Sequence, residues 1–205
     1  MPGTPAAERE LRAQGRKTMR KLLDAGMKVF AERGYQAARV DDIVRAARTS
    51  HGTFYLYFAN KEDLLRALAV ECAHEMNTLA DQLGVIGIDE AGAAELRRFL
   101  DAFFTTYRRY GPVIRAWMEG DLDDRDTSAL GVKAFTEIAN SLARRLDEAG
   151  APADDASIAA LMAMIERFAY FSTSRRLQFD DDVVLTTVTR VVHRGFFAAA
   201  AAPPR

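Results

Sequence analysis

The residues best suited to chemistry lie in one run, VDDIVRAARTSHGTFYLYFANKEDLL, at positions 40–65. Positions 43–61 contain no Asp or Glu, while Arg45, Arg48 and Lys61 supply positive charge. The serine, threonine and tyrosine hydroxyls of the same run can hydrogen-bond phosphate oxygens. This combination suits the non-covalent binding of a polyanion.

Two short amphipathic helices must position these residues. In the first, apolar residues recur at i, i+3, i+4 and i+7, namely at Val40, Ile43, Val44 and Ala47. Thr49 and Ser50 end that helix, and Phe54 and Phe58 mark the inward face of the next one. The outward face, which includes Gly52, Thr53 and Leu56, has no Glu or Lys to solvate it. The pattern predicts a helix-turn-helix whose outward face is covered by DNA.

Length and charge predict a small basic head on a larger acidic body. Of the 205 residues, positions 1–66 contain 13 Lys and Arg against 8 Asp and Glu, whereas positions 67–205 contain 15 against 21. Cys72 is the only cysteine, which excludes an intrachain disulfide. The polar N-terminus and the lack of an apolar stretch of about 20 residues favour a cytoplasmic protein.

Helical periodicity predicts an all-α fold, in which a three-helix head containing the helix-turn-helix is joined to a larger helical ligand-binding and dimerisation body. Gly34 should end the first helix, Asn60 should cap the fourth, and Gly111-Pro112 should end an aromatic fifth. Other helices are predicted at 16–33, 129–149, 155–172 and 181–197. The predicted divisions are a flexible arm at 1–15, a DNA-binding domain at 16–60, the body at 61–198 and a tail at 199–205.

The run at 40–65, with the preceding VFAERGYQAA, resembles the TetR family of bacterial transcriptional regulators over about a quarter of the chain. The resemblance implies that the second motif helix enters the major groove and that the last two helices pair two subunits. Carried over by position, the DNA-facing residues are Ser50, His51, Gly52, Thr53, Tyr55 and Tyr57, with Lys61 as a phosphate contact. Arg45, from the basic run, completes the predicted DNA-binding set.

The chain departs from the family pattern at three positions around the first motif helix. Arg48 and Thr49 stand where a Gly and an apolar residue commonly form the turn. Arg39 stands where a capping Thr is usual. The turn and the start of this helix are therefore the places where local geometry should differ.

The body is rich in aromatic residues and methionines, which suits a cavity for a hydrophobic ligand, although for any single residue an ordinary place in the core is the more common role. The predicted cavity residues are Phe103, Tyr107, Trp117, Met162, Ile165 and Tyr170. A fatty acyl chain is one candidate ligand, with an acidic head group met by Arg108, Arg109, Arg115 or Arg167. The final helix carries a stripe suited to a dimer interface, formed by Val184, Val188, Val191, Val192 and Phe196.

Catalytic and metal sites are not expected, and neither is a cofactor. Glu71 and His74 have the spacing of di-iron bundles, but a second such motif is missing from the sequence. The acidic residues between Glu119 and Asp126 lack the glycine and spacing of an EF-hand. A helical enzyme that uses the aromatic cavity would need a nucleophile, a base or a metal set in one place, which this sequence does not offer.

Together these features predict a ligand-responsive homodimeric transcriptional regulator, interpreted as a repressor released from its operator by a hydrophobic small molecule. Its partners would be double-stranded operator DNA, the effector and a second copy of the chain, without a membrane. The alternative is a helical ligand-binding sensor whose head contacts proteins; salt-sensitive duplex binding would separate the two. The operator, the effector and any contact of the N-terminal arm with DNA are left open.

Overall fold

The computed structural model describes residues 13–119, 125–173 and 180–198. Within these ranges the chain is helical and contains no β-strand, which confirms the all-α class. The helices are α1 (Ala13–Arg33), α2 (Val40–Ala46), α3 (His51–Tyr57), α4 (Lys61–Gln82), α5 (Glu90–Glu119), α6 (Arg125–Glu148), α7 (Asp155–Thr173) and α8 (Asp181–Val192), followed by a π-helical turn at His193–Phe197. In the described ranges, no helix combines the length and apolar character needed to cross a bilayer.

Helix α1 ends where its sequence predicts. It buries Leu22, Leu23 and Phe30, each at most 2% exposed. Gly34 then adopts φ +76°, and its N–H donates to the Phe30 carbonyl at 3.0 Å. A glycine reaches this left-handed conformation without steric cost, so it closes the last turn of the helix.

The turn between α2 and α3 contains the one non-glycine residue with positive φ in the described part of the chain. Arg48 adopts φ +50° there, at the position where the family commonly has glycine. The next residue, Thr49, donates its N–H to the Val44 carbonyl at 3.0 Å. The tight turn is therefore formed without glycine, but in a conformation that is unfavourable for arginine.

Helix α4 begins with the predicted cap, because Asn60 Oδ1 accepts a hydrogen bond from Asp63 N at 2.8 Å. Asp63 in turn accepts from Ala59 N at 3.1 Å, which holds the chain just before the helix. Helix α5 is interrupted where the sequence predicts. At Tyr110 the backbone adopts φ −108° and ψ 15°, which are non-helical, so two helical segments meet at a kink just before Gly111-Pro112, and the second continues to Glu119. Proline lacks the backbone donor that would continue the hydrogen bonds of the first segment, which favours this kink.

The core of the body is built largely on α5. Its buried aromatic residues are Phe99, Phe103, Phe104, Tyr107 and Tyr110. Polar contacts fix the neighbouring helices: Ser141 Oγ on α6 donates to the Ala80 carbonyl at 2.7 Å, and Asp154 caps α7 by accepting from Ser157 N at 3.0 Å. The predicted helix at 129–149 is confirmed but begins earlier, at Arg125.

The chain divides into two compact units. One comprises Met1–Cys72 and Pro112–Gly131, and the other comprises Ala73–Gly111 and Val132–Arg205. The divisions fall inside α4, at the kink of α5 and inside α6. The domain boundaries predicted from the sequence stay predictions; the division by contacts places the first half of α4 with the helix-turn-helix.

Candidate DNA-binding and effector sites

Two buried phenylalanines fix the orientation of α3. Phe54 is fully buried and Phe58 is 2% exposed, with their ring centroids 5.7 Å apart. The opposite face is open, with Tyr55 at 49% and Leu56 at 58% exposure. His51 and Gly52 are also exposed, while Thr53 and Tyr57 are half-buried. The structure thus confirms the predicted inward and outward faces of α3. The side chains proposed to read bases therefore lie on one surface.

The start of α3 is held by hydroxyl contacts. Ser50 Oγ accepts from Thr53 N at 3.1 Å and lies 3.0 Å from Thr53 Oγ1. Ser50 is therefore an N-cap, a role that stabilises helices by about 1 kcal/mol. Because this cap orients Thr53, both residues are held in place at the N-terminus of α3, directly after the turn.

His51 and Asp41 connect α3 to α2. His51 Nε2 lies 2.6 Å from Asp41 Oδ1, and both side chains are more than half exposed. The sequence between positions 43 and 61 lacks acids, but this contact places one carboxylate beside the face. Exposed pairs of this kind contribute little to stability, so DNA could displace the contact at low cost.

Around α2, one carboxylate is shared by two arginines. Asp42 Oδ1 lies 3.4 Å from both Arg33 and Arg45, and the Arg45 side chain is 75% exposed. Arg45 is therefore accessible for the proposed phosphate contact. Arg39 precedes α2 in an extended conformation, and its side chain makes no capping hydrogen bond within the described structure.

Lys61 has a structural role that its position in the sequence did not reveal. Its Nζ donates to the carbonyls of Tyr35, Gln36 and Ala38 at 3.1, 3.1 and 3.2 Å. The same atom lies 4.7 Å from the centre of the Tyr35 ring. An ammonium has three donors, and all three are used here, so Lys61 fastens the α1–α2 loop to the start of α4. Its predicted phosphate contact stays a prediction.

A basic cleft on α1 was not identified from the sequence. It has a volume of about 510 Å³ and is lined by Lys17, Arg20, Lys21, Asp24, Ala25 and Lys28 of α1 and by Ala46 and Ala47. Within it, Arg20 is paired with Glu71 at 2.7 Å and with Asp24 at 2.9 Å. The spacing of Lys17, Lys21 and Lys28 places them on one helix face, which is the signal that could have revealed the cleft.

The predicted effector residues are divided between the two units. Phe103, Tyr107 and Ile165 are buried in the unit that contains the body core, where Met162 and Tyr170 are half-buried. Trp117 belongs to the other unit. Its Nε1 donates to the Thr127 carbonyl at 2.9 Å, and a Cβ on Gly131 would lie 2.5 Å from the indole ring. Trp117 therefore packs tightly over Gly131, a contact that sequence spacing could not predict.

Glu166 lies among the predicted effector residues but was not singled out from the sequence. The Tyr107 hydroxyl donates to Glu166 Oε1 at 2.9 Å, and the residue is 8% exposed. The available signal was an acidic residue inside the segment LMAMIERFAYF of α7, in which Arg167 is the only other charged residue. A glutamate on such a stripe is buried only with a specific partner, which here is Tyr107.

The arginines considered for an acidic head group already lie beside carboxylates. Arg109 is 2.8 Å from Glu75, and Arg108 is 3.4 Å from Asp181. Arg108 also lines a cleft of about 510 Å³ on α5 and α8, where Arg97 pairs with Asp182 at 2.6 Å. These contacts offset the positive charge proposed to meet an anionic head group.

The face predicted for dimerisation needs one correction. Val188 and Val192 are fully buried within their own subunit, and Val184 is 7% exposed. The apolar residues that remain accessible on the last two helices are Phe168, Phe171, Val183 and Val191, at 37 to 58% exposure. The sequence correctly located the hydrophobic stripe on α8, but its most buried residues, Val188 and Val192, belong to the core of the chain itself.

One of the carboxylates considered for a metal site has another partner. Glu71 accepts a hydrogen bond from Arg20, which gives this carboxylate a partner other than a metal. In the described residues, no group of three or more His, Cys, Asp and Glu side chains could hold a metal ion. Asp121, Asp123 and Asp124 of the acidic segment lie outside the described residues.

Comparison with known proteins agrees with this geometry. Residues 22–68 match the family model described as bacterial regulatory proteins, tetR family. An uncharacterized HTH-type transcriptional regulator, YvdT of Bacillus subtilis (strain 168), is 35% identical over 94 residues, which are 46% of this chain and 47% of that protein. The chain thus spans about half the length of this curated relative.

Solved structures share the whole fold. FadR from Bacillus subtilis in complex with stearoyl-CoA is 18% identical, with a TM-score of 0.62, covering 86% of this chain and 98% of that one. LfrR from Mycobacterium smegmatis in complex with proflavine is 20% identical, with a TM-score of 0.64, covering 89% and 98%. At these identities the likeness concerns the fold alone. The helix-turn-helix at residues 22–68 is that of the tetR family of bacterial regulatory proteins.

Proposed function

We propose that this protein is a homodimeric transcriptional repressor that binds operator DNA through α2 and α3 and is released by a small molecule bound in its body. The observation that carries the proposal is the face of α3, which is held by buried Phe54 and Phe58 and leaves His51, Gly52 and Tyr55 exposed without an acidic residue of its own helix. Such a helix is suited to the major groove.

In this proposal, sequence preference and general affinity have different sources. Thr53 can meet a base edge or a thymine methyl, and Gly52 allows close approach of the backbone. Arg45 and the hydroxyls of Tyr55 and Tyr57 contact phosphates, which gives affinity without sequence information. The basic cleft on α1, with Lys17 and Lys21, adds positive charge to the same unit and strengthens the salt dependence.

Two copies are needed because one recognition helix reads only a half-site. The accessible apolar residues of α7 and α8, Phe168, Phe171, Val183 and Val191, supply the surface for pairing. The two heads of the dimer would then address half-sites about 34 to 36 Å apart. Linking two sites raises apparent affinity by about 10² to 10⁴, which explains why release can be controlled through the shape of the dimer.

The effector acts in this proposal by shifting a conformational equilibrium. A ligand that binds better to a dimer with mismatched heads favours that state and lowers operator affinity. Support comes from the aromatic body and from the neighbouring folds FadR and LfrR, whose structures contain stearoyl-CoA and proflavine. Those two ligands differ strongly in chemistry, so the fold by itself does not define the effector class.

The test begins with selection of a duplex from a random library by the purified protein, followed by gel-shift titration. Thr53→Ala should change the ranking of single-base operator variants, because it removes a side chain placed at the base edges. The matched control is Thr136→Ala, which truncates an exposed threonine on α6. A failure to select any duplex, or identical rankings for both variants, would overturn the proposed reading face.

A further inference from the structure

Glu166 has an unusual position for a charged residue. Among the described residues it is the only Asp, Glu, Lys or Arg that is buried, at 8% exposure. It lies on α7 beside the buried residues Ile165 and Ala169. Removing a carboxylate from water is strongly unfavourable unless partners compensate, so the contacts of Glu166 decide what the residue is suited to do.

Within the described residues, those contacts use only part of the hydrogen-bonding capacity of the carboxylate. Oε1 accepts the Tyr107 hydroxyl at 2.9 Å. Oε2 lies 3.8 Å from Arg167 Nε, which is beyond hydrogen-bond distance, and the Arg167 side chain is 58% exposed. A carboxylate has about four acceptor positions, so capacity remains for a further donor or cation. About a tenth of the Glu166 side chain remains accessible, which provides an approach.

The surroundings are suited to a positive group. Met162 and Tyr170 are placed one turn before and after Glu166 on the same helix face, and both are half-buried. The guanidinium of Arg167 lies 5.1 Å from the Tyr170 ring centre and 6.0 Å from that of Phe171. These rings therefore already have a cation near them. Aromatic rings and a thioether provide polarisable contacts, and the carboxylate provides the charge.

The sign of the buried charge argues against an anionic head group at this position. Arg108 and Arg109 face Asp181 and Glu75, so their positive charge is largely offset. At the Tyr107–Glu166 contact both side chains are buried and the charged one is the acid, whereas the adjacent Arg167 side chain is 58% exposed. An anion placed here would be repelled by the Glu166 carboxylate, whereas a cation would be attracted to it.

We propose that Glu166, with Tyr107, Met162 and Tyr170, binds the charged group of a lipophilic aromatic cation, and that this class of molecule is the effector. The inference rests on the proposed function, because it names the ligand of the same body. The cation takes the position next to Glu166 and Tyr170 that Arg167 approaches from outside. Its aromatic part then packs on the rings of α5 and α7, which links the two helices.

The experiment is calorimetric titration of the DNA-free, full-length protein, because cationic dyes also bind duplex DNA. The probes are proflavine, a planar aromatic cation, its uncharged parent acridine, and palmitate as an anion. The protein should bind proflavine at least about tenfold more tightly than acridine, the typical scale of one favourable charge contact. Glu166→Gln should remove that preference, while the amide oxygen of the glutamine can still accept a hydrogen bond from the Tyr107 hydroxyl.

Arg167→Gln is the matched control, since it removes the neighbouring charge of opposite sign. It should bind proflavine as tightly as the unmodified protein or more tightly. A purely structural Glu166 would lower the melting temperature in Glu166→Gln without changing the preference between probes. If that variant does not fold, Tyr170→Leu carries the test, with an expected loss of about three- to thirtyfold in proflavine affinity from the missing ring.

Three results would overturn the inference: no proflavine binding by the unmodified protein, an unchanged preference in Glu166→Gln, or tighter binding of palmitate that Arg167→Gln weakens. Operator binding is measured separately by gel shift. If the protein binds operator but not proflavine, only the assigned effector class is wrong. If it binds proflavine but no operator, the cation site is supported and the proposed regulatory function is wrong.

Discussion

Ser50 Oγ lies 3.1 Å from the amide nitrogen of Thr53 and 3.0 Å from its hydroxyl. The residue that ends the turn therefore also fixes the first side chain proposed to read a base. The proposed recognition of DNA by α3 would therefore depend on the turn that precedes this helix. The same turn contains Arg48 at φ +50°, so the local stability of the motif and its reading geometry are linked.

Arg48→Gly should stabilise the protein. A non-glycine residue in the left-handed region costs about 1 to 2 kcal/mol, and the greater freedom of glycine in the unfolded chain offsets about 0.5 to 1 kcal/mol of the gain. Urea denaturation should therefore show an increase of about 0.5 to 1 kcal/mol in the free energy of unfolding. Arg48→Ala, which removes the same charge but keeps the backbone cost, is the control. Equal stabilities of the two variants would show that φ is not the cause.

Lys61→Met should destabilise the protein by about 1 to 3 kcal/mol, because three carbonyls of the α1–α2 loop lose their donor. Methionine keeps most of the aliphatic length of the side chain, so lost packing contributes little. The measurement is thermal denaturation without DNA. Lys28→Met is the control, since the Lys28 side chain is 68% exposed. If Lys61 contacted only phosphate, Lys61→Met and Lys28→Met would be equally stable, which would contradict its structural role.

Glu95 should make stability depend on acid pH. The side-chain hydrogen bond from Arg98, helped by the Gly84 N–H, lowers the pKa of Glu95 below its usual value of 4.5. A group with a lowered pKa in the folded state stabilises the protein above its ordinary pKa, and this contribution is lost as pH falls through the folded value. Glu95→Gln should therefore be less stable at neutral pH, and the difference should shrink as pH falls below about 4.5.

The measurement is the urea midpoint of unfolding at a series of pH values. Glu137→Gln, at an exposed position on α6, is the control and should follow the unmodified protein throughout. A constant difference between Glu95→Gln and the unmodified protein at every pH would contradict the assigned role of the carboxylate.

The two faces of α8 should respond differently to charge. Val188 is fully buried and Val183 is 58% exposed. Val188→Glu should unfold the subunit, because a buried unpaired charge costs several kcal/mol. Val183→Glu should leave the subunit folded but weaken its pairing. Circular dichroism would report folding and sedimentation would report the oligomeric state. A folded, dimeric Val183→Glu protein would exclude this part of α8 from the proposed interface.

Sequence periodicity predicted some features of this molecule well, because they depend on local spacing. Phe54 and Phe58 turn inward, Gly34 ends α1 and Asn60 caps α4, as expected. Periodicity identifies an apolar face without saying what covers it, which is why Val188 and Val192 were assigned to a partner subunit.

Other features depend on contacts between distant parts of the chain. The carbonyl partners of Lys61 lie 23 to 26 positions away, and Tyr107 lies 59 positions from Glu166. No local pattern contains this information, because it arises only when the helices pack.

The most direct test of the central claim is the salt dependence of operator binding by Arg45→Ala and Lys133→Ala. Both variants remove one exposed positive charge, the first on α2 and the second on α6. Fluorescence anisotropy titrations of a selected operator at several salt concentrations give the slope of log affinity against log salt. Loss of one phosphate contact per subunit should flatten the slope for Arg45→Ala by about two units per dimer, with Lys133→Ala unchanged. Equal slopes for both variants would contradict DNA binding through α2 and α3.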